Sequence, residues 1–122
     1  MIVDATVVLI VEDDRNVLDI TGLLLESAGY EVVTASNANE GLAAVARRPD
    51  IRLICTDVNM PGGMDGIAMI REVRRRGFDL RVLVVSGDIV DVRQRMDPGM
   101  LFLAKPYDRR SLLAAVEDAL AA

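Results

Sequence analysis

The sequence of 122 residues contains no histidine, no tryptophan and one cysteine, and aromatic residues make up only 3% of it. Because histidine and cysteine are the usual zinc ligands, and histidine is the usual acid–base group near neutral pH, common zinc sites and His-based catalysis are excluded. The single cysteine, Cys55, cannot form an internal disulfide. Any metal site or reaction must therefore use other side chains.

Long apolar runs and an excess of basic residues are also missing. The best apolar candidate, around residues 23–25, is interrupted by Asp19 and Glu26 and falls far short of the roughly 20 residues of a membrane helix. The N-terminus lacks the basic start and apolar stretch of a secretion signal. With 14 basic and 19 acidic side chains, the net charge of −5 argues against direct nucleic-acid binding. We therefore expect a cytoplasmic protein without membrane insertion.

The residues that are present suffice for one hydrophobic core. Hydrophobic residues make up 52% of the chain and charged residues 27%, a balance typical of a globular domain and not of a disordered chain. We expect a single domain over residues 1–122, with its core at about residues 6–120 and no output domain. Met1 favours a natural start for this domain.

Five short apolar runs, rich in Val, Leu and Ile, are typical of strands covered on both faces. They are residues 6–11, 31–34, 52–56, 81–85 and 101–104. Amphipathic stretches between them predict helices at residues 17–28, 38–47, 66–76, 89–96 and 108–121. The fourth helix is one or two turns at most, because the turn sequence Asp97-Pro98-Gly99 follows it. Strands alternating with helices predict an α/β fold with a parallel sheet covered on both faces.

Acidic residues follow two of the predicted strands. Glu12, Asp13 and Asp14 follow the first strand, and Asp57 ends the third. In a doubly wound sheet of order 2-1-3-4-5, strand order reverses between strands 1 and 3, and ligands bind at that point. We expect the two groups to meet in one shallow pocket, where close carboxylates need a cation. Oxygen ligands in an open site favour Mg²⁺.

Two further polar residues end predicted strands at the same edge of the sheet. Lys105 is the only lysine among the 14 basic residues and lies at the end of strand 5. A compact ammonium can neutralise one phosphoryl oxygen as a point charge. Ser86 adds a hydroxyl at the end of strand 4. These carboxylates, the hydroxyl and the ammonium favour binding of Mg²⁺ and a phosphoryl group, with one carboxylate as nucleophile. The alternative interpretation is that the acids are solvated loop residues and that Lys105 is an ordinary surface lysine.

Five motifs, in this order, resemble the receiver domain of two-component response regulators. They are Val11-Glu12-Asp13-Asp14, Thr56-Asp57-Val58-Asn59-Met60-Pro61, Met64-Asp65-Gly66, Val85-Ser86-Gly87 and Lys105-Pro106-Tyr107. The resemblance covers about residues 6–120. It implies a flavodoxin-like (βα)5 three-layer sandwich with a five-stranded parallel sheet in the order 2-1-3-4-5. It also implies a phosphoacceptor function in signal transduction.

The resemblance implies a role for each acidic residue of the pocket. Asp57 would be the phosphoacceptor that attacks the phosphorus of a kinase phosphohistidine in a Mg²⁺-dependent reaction. Asp13 and Asp57 would bind Mg²⁺ through their carboxylates, and Asn59 through its backbone carbonyl. Glu12 would act through a metal-bound water, whereas Asp14 falls outside the set of ligands.

The resemblance also implies roles for residues of the last two strands. Lys105 would be the catalytic lysine, joined to Pro106 by a cis peptide bond. Ser86 would follow the phosphoryl group, and Phe102 lies at the aromatic switch position, with plain core packing as the alternative. Such a domain is not a conventional enzyme, since it catalyses its own phosphorylation and slow dephosphorylation.

Two segments depart from the family pattern. Gly62-Gly63 makes the loop after Asn59 one residue longer than is common, a change that glycines should accommodate. The stretch from Ser86 to Lys105 is a few residues shorter than usual. The sequence therefore does not decide whether the domain signals to its target through the surface of helix 4, strand 5 and helix 5.

The implied partners are a histidine kinase or histidine phosphotransfer protein and a downstream protein target that the sequence does not name. A flavin-binding electron carrier would need phosphate donors after strand 1, where this chain has three acids. An aspartyl phosphatase would carry its nucleophile after strand 1 and not strand 3. Two alternatives remain open: a receiver that acts only by interaction, without phosphorylation, and a receiver module from a hybrid histidine kinase. Output by direct binding and transfer in a phosphorelay are also both open.

Overall fold

A computed structural model of the protein describes residues 5–60 and 62–122, along which strands and helices alternate. The strands are β1 (Val7–Val11), β2 (Glu31–Ala35), β3 (Ile51–Asp57), β4 (Arg81–Ser86) and β5 (Met100–Ala104). The helices are α1 (Arg15–Ser27), α2 (Ala38–Arg47), α3 (Gly66–Arg75), α4 (Ile89–Arg95) and α5 (Arg109–Ala121). The predicted elements are confirmed, including a fourth helix of only 7 residues.

The strands form one parallel sheet in the order β2-β1-β3-β4-β5, which confirms the predicted doubly wound fold. Helices α1 and α5 cover one face of this sheet, and α2, α3 and α4 cover the other. Successive side chains of a strand point to opposite faces, so a sheet covered on both sides needs apolar residues throughout. In β1, for example, Val8 and Ile10 join the α1–α5 core, whereas Leu9 and Val11 join the opposite core.

Strand β3 begins one residue earlier than predicted, at Ile51, and ends at Asp57 as expected. The pairing of β1 with β3 skips one residue: Val7 is opposite Ile51, and Val8 is opposite Leu53. The skipped residue, Arg52, is exposed although both its neighbours are buried. This irregularity lets a charged side chain reach solvent from a central strand and leaves the rest of β3 in register with β1.

Each of the five helices begins after an N-cap residue whose side chain accepts a hydrogen bond from a backbone N–H of the first turn. These residues are Asp14, Asn37, Asp65, Asp88 and Asp108. Because the caps follow the carboxyl ends of the strands, several of the acidic side chains at this edge of the sheet serve helix capping. Among the described residues, no helix has the length and apolar character needed to cross a membrane.

Candidate functional site

The carboxyl ends of β1 and β3 lie side by side and bring three acidic side chains together. Val11 pairs with Thr56 in the parallel register, so Glu12 and Asp13 emerge next to Asp57. Each of the three residues has a carboxylate oxygen within 4.8 Å of the other two. Glu12 is buried, Asp57 is half-buried and Asp13 is exposed. The cluster, which we call the acid cluster, therefore opens to solvent on the side of Asp13.

Lys105 lies against the acid cluster from the end of β5. Its Nζ donates a hydrogen bond to Glu12 Oε1 at 2.7 Å and lies 3.3 Å from Asp57 Oδ2. Burial alone would lower the pKa of Lys105, but the hydrogen bonds and charges of Glu12 and Asp57 outweigh it and raise the pKa. The ammonium therefore remains protonated and offsets part of the repulsion among the three carboxylates.

Backbone and hydroxyl donors fix the orientation of Asp57. The Val58 N–H donates to Asp57 Oδ1 at 2.8 Å. The Thr56 hydroxyl donates to the Asp57 carbonyl oxygen at 2.8 Å. With one carboxylate oxygen held by the backbone and the other beside Lys105, the side chain is presented to the open end of the cluster in a defined geometry.

Helix α3 packs its first residue directly against the backbone of Asp57. The Gly66 N–H donates to the Val58 carbonyl at 2.9 Å, which closes the loop between β3 and α3. A Cβ at Gly66 would lie 2.0 Å from the Asp57 carbonyl oxygen and 2.9 Å from Thr56 Oγ1. Glycine is therefore required by this close approach of two backbone segments.

Ser86 and Phe102 lie on the neighbouring strands, where the resemblance implies a switch. The Ser86 side chain is buried, and its Oγ accepts a hydrogen bond from the Asp88 N–H at 3.0 Å. The Ser86 carbonyl accepts from the Lys105 N–H at 2.9 Å, so the ends of β4 and β5 are joined at the site. Phe102 is half-buried and packs against the core under α2, α3 and α4. Its ring therefore lies within the layer that carries α4.

The loop after β3 contains the exposed residue Asn59, and Pro61 of the predicted motif lies outside the described residues. Gly62 and Gly63 both have positive φ, at 100° and 88°, a backbone conformation that favours glycine. A polar hollow of about 390 Å³ borders the acid cluster here, and its lining includes Asp13, Asn37 and Gly62. The lengthened loop thus forms part of the entrance to the acid cluster.

The donor set of the acid cluster fits a hard divalent cation. Three carboxylates converge within reach of one ion, and oxygen ligands of this kind are those that Mg²⁺ prefers. The open side at Asp13 leaves room for the water molecules that Mg²⁺ keeps in protein sites. The cluster therefore has the chemistry and the access that a magnesium site needs.

Several residues near the site have roles that the sequence analysis did not assign. Asp14 caps α1, since its carboxylate accepts from the Asn16 and Val17 N–H groups. The hydroxyl groups of Thr21 and Tyr107 form a hydrogen bond under the acid cluster. An Asp residue just after a strand and before an amphipathic stretch is the signal that finds such caps, whereas no sequence spacing links Thr21 to Tyr107.

The Lys105–Pro106 peptide bond is cis, the geometry that the resemblance implies.

Cys55 lies in β3 and is buried, and this burial, with the nearby charge of Glu12, raises the pKa of its thiol to about 12. A thiol with so high a pKa is protonated and unreactive at neutral pH. Cys55 is therefore a small core residue, as its place in an apolar strand predicts.

Comparisons with known proteins identify a family that matches most of the chain. The family model described as "Response regulator receiver domain" matches residues 8–117. The transcriptional regulatory protein GlrR of Escherichia coli is 37% identical over 115 residues, which are 92% of this chain and 26% of GlrR. The chain thus spans about a quarter of the length of this curated relative.

Solved structures support the match. The receiver domain of the hybrid histidine kinase CckA is 31% identical, with a TM-score of 0.80 over 93% of this chain and 98% of that domain. The chemotaxis protein CheY4 of Vibrio cholerae is 26% identical, with a TM-score of 0.88 over 95% of this chain and 99% of CheY4. The family's known function is to accept a phosphoryl group in two-component signalling, and its members bind Mg²⁺ at an acidic pocket. The chain belongs to the response regulator receiver domain family.

Proposed function

We propose that Asp57 is the phosphoacceptor of this receiver domain. The observation that carries the proposal is the meeting of three carboxylates with Lys105, whose Nζ lies 3.3 Å from Asp57 Oδ2. An Asp57 carboxylate oxygen attacks the phosphorus of a phosphohistidine, a P–O bond forms, and the P–N bond to the imidazole breaks. The leaving imidazole takes up a proton. The donor is a histidine kinase or a histidine phosphotransfer protein, the partners with which receiver domains interact.

The acid cluster would hold the magnesium ion of this reaction. Asp13 and Asp57 would bind it through their carboxylates, Asn59 through its backbone carbonyl, and Glu12 through a bound water. When bound, Mg²⁺ neutralises negative charge on the phosphoryl oxygens and orients the group in line with Asp57. Glu12 Oε1 accepts a hydrogen bond from Lys105 Nζ at 2.7 Å, which supports a second role for Glu12 in orienting the ammonium.

Lys105 and Ser86 would bind the phosphoryl group once it is attached. Phosphorylation replaces a monoanionic carboxylate by a dianionic acyl phosphate beside a cation that is already in place. The Ser86 hydroxyl accepts a bond from the Asp88 N–H, so its own hydrogen remains to be donated to a phosphoryl oxygen. Movement of Ser86 toward the phosphate would vacate space that the half-buried Phe102 fills. Phosphorylation would then shift the population from one packing of the surface around Ser86 and Phe102 to another.

The donor protein needs a contact surface beside Asp57, and α1 supplies exposed apolar residues there. Ile20 is 58% exposed and lies on the face of α1 that is turned toward Lys105. An open groove of about 470 Å³ runs from Ile20 to Lys105 and Pro106. A donor that docks on this groove would lie next to Lys105, whose Nζ is 3.3 Å from Asp57 Oδ2.

The test is intact-mass measurement after incubation with acetyl phosphate, with and without Mg²⁺. We expect one phosphoryl adduct that requires Mg²⁺ and is lost in Asp57→Asn. The matched control is Asp14→Asn, because Asp14 neighbours the cluster but only caps α1, and asparagine caps a helix equally well. This control should retain the adduct.

If neither acetyl phosphate nor a panel of histidine kinases phosphorylates the folded protein, Asp57 is not an acceptor and the domain acts only by interaction. An adduct that persists in Asp57→Asn would assign phosphorylation to another residue. The mode of output is tested with the phosphorylated protein. Direct output predicts a changed affinity for a target protein, whereas a relay predicts rapid exchange with a phosphotransfer protein.

A further inference from the structure

A hydrogen bond between two buried or half-buried hydroxyl groups lies beneath the acid cluster, outside the set of residues assigned so far. It joins Thr21 of α1 to Tyr107 of the loop between β5 and α5, residues that are 86 positions apart in the chain. Thr21 is 2% exposed, and Tyr107 is half-buried. We call these two residues the hydroxyl pair.

The threonine of this pair occupies a place where an apolar residue would pack as well. Thr21 is on the face of α1 that contacts the sheet, alongside Leu18, Gly22 and Leu25. Burying a hydroxyl there costs free energy unless it is hydrogen-bonded, and valine has nearly the same shape without that cost. The polar residue is therefore explained by its bond to Tyr107 and not by packing.

The pair lies close to the charged groups of the site. A small cavity of about 10 Å³ is lined by Thr21 and Tyr107 together with Glu12 and Asp57. Burial is the main cause that raises the pKa of Tyr107, and Glu12 and Lys105 act on it electrostatically with opposite signs. Tyr107 therefore borders the same small cavity as Glu12 and Asp57 of the acid cluster.

Tyr107 is also connected to Lys105 through the chain. One residue separates them, and it is Pro106, whose ring fixes φ and removes one soft dihedral from the link. On the other side, the Lys105 N–H is held by the Ser86 carbonyl at 2.9 Å. The backbone of Lys105 is thus fixed by β4 before it and by the hydroxyl pair after it. A long flexible side chain on such an anchored backbone loses less conformational entropy when it is ordered over Asp57 than one on a free loop.

We propose that Thr21 and Tyr107 are positioning residues for Lys105, which they hold over Asp57 during phosphoryl transfer. This inference rests on the proposed function of Asp57 and Lys105. It assigns to α1 a role in the chemistry of the site in addition to its packing on the sheet. Displacing Lys105 separates its Nζ from both carboxylates that it contacts.

The test uses Thr21→Val and Tyr107→Phe, which remove each hydroxyl and keep the shape, together with the double variant and Thr21→Ser. We expect each single variant to lower the rate constant of phosphorylation by acetyl phosphate about five- to ten-fold, less than the roughly hundred-fold cost of a full ångström of displacement. The double variant should lose no more than either single one, because the two hydroxyls act through one bond. Thr21→Ser keeps the hydroxyl and should restore most of the rate.

A second readout reports on Lys105 itself. Because it is the only lysine in the chain, labelling with ¹³C-lysine gives a single side-chain ε-methylene signal. We expect this signal to shift and sharpen in Thr21→Val and Tyr107→Phe, as the side chain leaves Glu12 and gains freedom. Tyr30→Phe is the matched control, since Tyr30 is the only other tyrosine and packs against the same α1–α5 core. It should leave the rate and the signal unchanged.

Thermal unfolding separates positioning from simple stabilisation. If both single variants lower the melting temperature while the rate and the lysine signal stay at wild-type values, the pair is only structural and the inference is wrong. The same conclusion follows if the double variant loses the product of the two single losses. A wild-type protein that accepts no phosphoryl group would contradict the proposed function instead, and the lysine signal would still show whether the pair holds Lys105.

Discussion

The two sides of the sheet hold the functional site by different kinds of interaction. On the α1–α5 side, apolar residues of both helices pack against β1, β3 and β4, and the buried hydroxyl pair adds one polar contact. On the other side, α4 buries Val92 against the core, and charged residues tie its C-terminal end to α3. Both sides contain a buried apolar core, but the α3–α4 contact at the edge of the second core is made largely by charged side chains.

The contacts between α3 and α4 are arginine–aspartate pairs that solvent reaches. Arg71 of α3 contacts Asp97 at 3.0 Å, with side chains 51% and 39% exposed, and also donates to the Arg95 carbonyl at 2.8 Å. Arg95 of α4 pairs with Asp65, the N-cap of α3. Exposed ion pairs contribute little to stability and are screened by salt, whereas apolar burial is not.

This difference identifies the element that can move at the lowest cost. Helix α4 has 7 residues and is held mostly through charge, so its local opening should need less free energy than that of α1 or α5. Two residues separate its start from Ser86, and Phe102 packs in the same layer. If Asp57 is phosphorylated as proposed, α4 is therefore the neighbouring helix whose displacement should cost least.

The largest effect is expected for Gly66→Ala, where α3 meets the Asp57 backbone. Because the new Cβ would lie 2.0 Å from the Asp57 carbonyl oxygen, we expect a loss of about 3 kcal/mol in the free energy of unfolding and a strong loss of phosphorylation. Urea unfolding and intact-mass measurement check this. Gly22→Ala on α1 is the matched control: its Cβ would lie 3.8 Å from Val32, and it should gain up to about 1 kcal/mol. Equal losses at both glycines would remove the contrast between the two sides.

A smaller effect is expected for Asp65→Ala. Asp65 accepts a hydrogen bond from the Ala68 N–H at 2.9 Å and also pairs with Arg95. Its loss should cost about 1–2 kcal/mol in the free energy of unfolding and speed amide hydrogen exchange in α4. Asp108→Ala is the comparison on the other side, since Asp108 caps α5 without an ion pair to another helix. It should cost less and leave α4 exchange unchanged; faster α4 exchange in this variant would contradict the separation of the two sides.

The smallest effect is expected for acidification of the α3–α4 contact. A hydrogen bond from Arg71 lowers the pKa of Asp97 below its usual value. A lowered pKa means that the stabilisation is complete above the usual aspartate pKa of about 4 and is lost as pH falls through the lowered value. We expect the α4 amide signals in NMR spectra to change as pH falls from about 5 to about 2.

Asp97→Asn should give part of this change in α4 at neutral pH and reduce the acid response of α4, while the Arg95–Asp65 pair remains. High salt should produce the same change in the α4 signals of the wild-type protein at neutral pH, because at 1 M salt exposed charges are screened over about 3 Å. If Asp97→Asn and high salt both leave the α4 signals of the neutral-pH protein unchanged, the arginine–aspartate pairs do not hold α4 in place.

The sequence predicted most of the fold because its signals are local. Apolar runs without alternation identify strands buried on both faces, and the predicted helix starts at residues 38 and 108 agree with the structure to within one residue. The extra residue of β3 at its start was not predictable, because Arg52 is skipped by pairing with another strand. Such an irregularity depends on register, which no single segment determines.

The site shows the same limit more clearly. The sequence by itself determined which groups stand at the strand ends: Glu12, Asp13, Asp57, Ser86 and Lys105, since strand–helix alternation fixes the edge at which they emerge. Only the tertiary structure decided that Lys105 bonds Glu12, that Gly66 must lack a side chain above Asp57, and that Thr21 meets Tyr107. These contacts join residues from separate elements, and their partners are selected by packing in three dimensions and not by spacing along the chain.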